Sequence, residues 1–78
     1  MIILDKVEQI TISTEYIKLQ QLLKLAGMVD QGSDAKIFIL EGKIKVNDVI
    51  ATERGKKIRP GDIVQVEGMG KLEVIIEE

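Results

Sequence analysis

Nine of the eleven Lys and Arg side chains in this chain fall between residues 18 and 59, and they are its densest chemistry. Lys36 stands in a run of helical character. Lys43 and Lys45 alternate with Ile44 and Val46, and Arg54, Lys56, Lys57 and Arg59 crowd the segment RGKKIRPGD. Cations at such spacing displace counterions from a phosphate backbone. Arg54 and Arg59 can also fork onto phosphate oxygens in a way lysine cannot. Little else is on offer. The chain has no His and no Cys, and its only serines are Ser13 and Ser33, neither beside a base that could activate a hydroxyl. Carboxylates are scattered without metal-ligand spacing, and no glycine-rich loop is shaped to cradle a phosphate. These absences predict a protein that is not an enzyme and holds no cofactor or metal.

The net charge of −2 hides a polarity. Residues 1–17 hold one Lys and three acids (−2), residues 18–59 nine basic and five acidic groups (+4), and residues 60–78 one Lys and five acids (−4). A basic middle between acidic ends is what a one-sided binding surface needs. Seventy-eight residues make one domain, and 45% apolar residues, mostly Ile, Val and Leu, predict a strand-rich α+β core. No apolar run is long enough to span a membrane. The start, MIILDKVEQ, lacks the basic and apolar regions of a secretory signal, so the reading is a cytoplasmic protein.

Elements must carry these cations. Residues 9–14 alternate, with Ile10 and Ile12 on one face, and read as a strand. Leu19, Leu22, Leu23 and Ala26 fall on one face of a helix near 19–26, which Gly27 ends. Gln31-Gly32 reads as a turn. Ser33 is expected to cap a second helix over 33–41, with Asp34 in its first turn, Ala35, Phe38 and Ile39 inward and Gly42 as the stop. If helical geometry persists to Gly42, Lys36 and Lys43 project to one side. Asn47-Asp48 is a two-residue hairpin turn, and Pro60-Gly61-Asp62 is a second turn. Residues 63–66 and 72–76 are strands, the last one pairing with the first. The predicted core includes Ile12, Leu19, Leu22, Leu23, Ala35, Phe38, Ile39, Val46, Ile63 and Val66.

The ordered set Lys18-Leu19, Leu22-Leu23, Gly27, Gly32-Ser33, Ala35-Lys36, Ile39, GKIKVN (42–47) and RPGD (59–62) resembles the RNA-binding domain named after the fourth small-subunit ribosomal protein. The resemblance covers about residues 18–66, flanked by the terminal strands 9–14 and 72–76. The short stand-alone bacterial (YaaA-like) form is the nearest in pattern. It implies two short helices, an αL-type RNA-binding motif, on a small mostly antiparallel sheet of four to five strands. It also implies binding of structured RNA, ribosomal or transfer, by a monomer through Lys18, Lys36, Lys43, Lys45, Asn47, Arg54, Lys56, Lys57 and Arg59. With aromatic residues limited to Tyr16 and Phe38, recognition should follow backbone and shape more than base sequence. Two features depart from the pattern. Asp48 stands where Gly is usual, and Ile37 and Leu40 replace polar residues, so they either pack on the terminal strands or form an exposed apolar patch. The rival readings are a β-grasp carrier, whose reactive Gly-Gly end is replaced here by IIEE, and a protein-interaction module.

Overall fold

The computed structural model describes residues 7–30 and 32–77. Its elements are β1 (Val7–Ile12), β2 (Ile17–Lys18), α1 (Leu19–Leu25), α2 (Gly32–Leu40), β3 (Ile44–Val46), β4 (Val49–Ile50), β5 (Lys57–Ile58), β6 (Ile63–Val66) and β7 (Gly70–Ile76). A five-stranded sheet runs β1-β7-β6-β3-β4. Its β1–β7 pair is parallel and its other neighbours are antiparallel. The first strand therefore pairs with the last, as their patterns predict. A separate two-stranded antiparallel ladder, β2–β5, pairs Ile17 with Ile58 and Lys18 with Lys57. Two residues carry no period, so neither short strand is visible in the sequence as such.

Alternation along the strands sorts the sheet into two faces. Ile10, Ile12, Ile44, Val46, Val64, Val66, Leu72 and Val74 are buried on one of them. The helices supply Leu19, Leu22, Leu23, Ala35 and Ile39 to the same core, and Ile58 of β5 and Ala51 just after β4 close it. Of the predicted core, Phe38 and Ile63 are only half-buried; Phe38 packs at the margin of the cluster. No polar side chain is buried among the described residues.

Both helices stop for the same physical reason. Gly27 (φ 75°) and Gly42 (φ 69°) take left-handed backbone, and each is followed by the paired hydrogen bonds of a Schellman ending. In α2 the Gly42 N–H donates to Ile39 O (3.1 Å) and the Lys43 N–H to Phe38 O (3.0 Å). The start of α2 differs from expectation. The helix begins at Gly32, so Ser33 lies within its first turn rather than capping it; Gln31 lies outside the described residues. Asp34 sits in the first turn as expected. Ile37 and Leu40 do not pack on the terminal strands: they are 54% and 76% exposed, because α2 turns Ala35 and Ile39 inward instead.

Asn47 (φ 50°) and Asp48 (φ 69°) form the hairpin turn between β3 and β4, both in left-handed backbone as the tight hairpin requires. Asp62 joins that turn to the next one. One of its carboxylate oxygens accepts the Arg59 N–H (2.8 Å) and the other accepts Asn47 Nδ2 (3.0 Å). Asn47 Oδ1 in turn accepts the Ile63 N–H (2.9 Å). Hairpin and Pro60-Gly61-Asp62 turn are thus held as one unit.

Candidate nucleic-acid interface

The cations gather where the segment after β4 meets the start of α1. Lys18, at the N-cap of α1, makes no side-chain capping bond. Two of the helix's first free N–H groups are satisfied by backbone instead: Leu19 N–H donates to Lys56 O (2.8 Å) and Gln20 N–H to Arg54 O (2.9 Å). Those bonds fix Arg54 and Lys56 against α1. The β2–β5 ladder then sets Lys57 directly opposite Lys18, both exposed. Like charges directly opposite on a ladder are destabilising, and the Lys57 ammonium turns onto the Tyr16 ring (4.9 Å).

Lys36 joins from α2. It lines a groove of about 490 Å³ with Ile39, Leu40, Thr52, Glu53, Arg54 and Gly55. Arg59 is exposed and follows the buried Ile58, two residues after Lys57, its backbone fixed by Asp62. The backbone thus sets Lys36, Arg54, Lys56, Lys18 and Lys57 beside one another in an arc, with Arg59 next along the chain. Glu53 shares the groove with Lys36 and Arg54.

Three residues of the predicted set are placed differently. Lys43 does not continue the α2 face of Lys36, because the left-handed Gly42 turns the chain between them. Its ammonium pairs with Glu41 (3.1 Å) and stands 5.9 Å from the Phe38 ring centroid. Lys45 projects from β3 on the side opposite the buried Ile44 and Val46, hence from the sheet face that turns away from the helices. Its cross-strand neighbours there are Ile50 and Gln65, and Lys71 follows beyond Gln65 in the same row. Asn47 is exposed, but its amide is engaged with Asp62 and the Ile63 N–H. The structure gives it the task of bracing the basic segment.

Tyr16 is the residue that the motif-centred reading undervalues. It precedes β2, outside the stretch that carries the resemblance, and its ring lies 4.9 Å from the Lys57 ammonium. The signal in the sequence was only its position two residues before Lys18.

The S4 domain family model matches residues 10–75, most of the chain. This chain belongs to the S4 domain family. That is the RNA-binding family whose pattern residues 18–66 carry. A protein of Bacillus subtilis (strain 168) with the name "Probable ribosome maturation protein RlbA" is 44% identical over 66 residues, covering 85% of this S4 chain and 93% of the relative. YbcJ of Escherichia coli (strain K12) is 40% identical over 53 residues, 68% of this chain and 76% of YbcJ. The solution structure of YbcJ superposes with a TM-score of 0.65 at 29% identity, covering 96% of this chain and 92% of that one. That structure is described as revealing an ALFAL motif involved in RNA-binding. The fold that the resemblance implies, two short helices on a mostly antiparallel sheet of four to five strands, is the S4 fold observed, with five strands in the sheet and a separate two-stranded ladder. No helix among the described residues is long and apolar enough to cross a membrane.

Proposed function

We propose that this S4 domain binds structured RNA through the arc Lys36–Arg54–Lys56–Lys18–Lys57, reading backbone and shape, and that its RNA is ribosomal. The observation that carries the reading is the Lys18–Lys57 pair. The ladder sets these two exposed lysines opposite each other, beside the Arg54 and Lys56 backbone bonded to the start of α1, and so concentrates positive charge there. A polyanion crossing the ladder neutralises that charge and releases its own counterions. Lysines on phosphates position a partner without reading its sequence, which suits recognition of a folded backbone.

The ribosomal assignment draws support from the relative named for ribosome maturation, which matches across almost its whole length. On this reading the domain acts as a cytoplasmic monomer and a binding protein, without catalysis or a small-molecule substrate. Ultraviolet crosslinking in cells followed by sequencing of the bound RNA tests it. Ribosomal RNA should dominate the recovered fragments, at helical segments. Recovery of transfer RNA alone would overturn the ribosomal assignment, and recovery of no RNA would overturn the binding reading itself.

A further inference from the structure

Beside the cationic arc lies a second feature of different chemistry. A groove of about 740 Å³ is lined by Thr14, Glu15, Tyr16, Ile17, Lys18, Gln21 and Leu25. Leu25 is 60% exposed at the end of α1, Tyr16 and Ile17 are half-buried, and Gln21 is exposed one turn of α1 before Leu25. The groove opens beside the arc, because Lys18 belongs to both and Lys57 stands over the Tyr16 ring. We infer that this groove receives one unpaired nucleobase of the RNA held on the arc, an inference that rests on the RNA-binding reading above.

The match is chemical. A nucleobase has apolar faces and a polar edge. Tyr16 and the exposed Leu25 offer an aromatic and an aliphatic surface for the faces. The Gln21 amide offers a donor and an acceptor for the edge, and the Glu15 carboxylate and Thr14 hydroxyl add acceptors for exocyclic amino groups. Glu15 disfavours a phosphate in the groove itself, so the backbone belongs over Lys18 and Lys57 while the base turns inward. Cation–π attraction from Lys57 holds the ring in place before RNA arrives. The partner class is therefore narrower than paired RNA: a helix interrupted by a bulge or an internal loop.

The test uses three RNA hairpins of one sequence: fully paired, carrying a single bulged adenosine, and carrying an abasic residue at the bulge. Since a flexible bulge can favour binding without any base contact, the abasic hairpin isolates the base. Stacking on an aromatic side chain is worth about fivefold or more in affinity. The bulged hairpin should bind at least about fivefold tighter than both the paired and the abasic hairpins. Tyr16→Leu should abolish that advantage without changing the salt dependence, and Tyr16→Phe should keep it. Tyr16 is the only tyrosine, so its ring protons report directly by NMR and should shift upfield with the bulged hairpin alone. Equal, salt-dependent binding of all three hairpins with unmoved Tyr16 resonances would overturn the groove assignment and leave backbone binding standing. An advantage for the bulge that survives Tyr16→Leu would overturn it as well. Absence of binding to any of the three would overturn the RNA reading beneath it.

Discussion

The Asn47–Asp62 connection should be worth a measurable fraction of the domain's stability. Asn47→Gly removes two side-chain hydrogen bonds, to the Ile63 N–H and to Asp62, while leaving a residue that accepts φ 50°. Asp62→Ala also removes two, to the Arg59 N–H and to Asn47. A net hydrogen bond contributes about 0.5–1.5 kcal/mol, and these are solvent-exposed, so the lower half of that range applies. Asp62→Ala should then cost about 1–2 kcal/mol, and Asn47→Gly about 0.5–1 kcal/mol less because glycine relieves the left-handed φ. Because the bond between Asn47 and Asp62 is lost in both, the double variant should fall short of the sum by about 0.5–1 kcal/mol. With an m-value of about 1 kcal/mol/M in urea for a domain of this size, Asp62→Ala should lower the unfolding midpoint by about 1–2 M, and Asn47→Gly by less. The midpoints of the four proteins in the cycle, at equal m, decide the matter. Strict additivity would show that the two turns are not coupled through these side chains.

Other consequences follow from backbone conformation. Asp48 holds φ 69°, so Asp48→Gly should raise stability by about 0.5–1 kcal/mol in the same urea assay. Gly42→Ala should cost about 1 kcal/mol, although an added Cβ would meet nothing within 4 Å, because the cost is the φ of 69° alone. Gly55 has equal room and no positive φ, so Gly55→Ala should be neutral or stabilising by up to about 1 kcal/mol. Opposite signs for the two alanines would be seen as opposite shifts of the melting temperature.

Local signals carried most of this architecture. The Leu19, Leu22, Leu23 spacing marks α1, the glycines at 27 and 42 mark both helix ends, and Asn47-Asp48 marks the hairpin, because each is decided within a few residues. What the sequence left dark is decided at long range. The β2–β5 ladder brings residues 18 and 57 together with only two residues per strand. The Asn47–Asp62 bond spans 15 positions. The site was half legible for a related reason. Charge density located the basic segment, but the side of the sheet on which Lys45 stands depends on which face the helices cover. Lys43 depends on the turn that Gly42 makes rather than on helical spacing. Tyr16 lies outside the motif, and only the ladder brings it to Lys57.

Whether RNA backbone lies on the helix-side arc is tested most directly by a salt titration of binding to a structured RNA hairpin. If about four phosphates are neutralised, the duplex value gives a slope of log affinity against log salt of roughly −3.5. Arg54→Ala, on the arc, should flatten that slope by about one unit and weaken different structured RNAs alike. Lys45→Ala, on the far face of the sheet, should leave the slope unchanged. A salt-independent affinity, or a Lys45→Ala slope flattened as much as that of Arg54→Ala, would contradict the account.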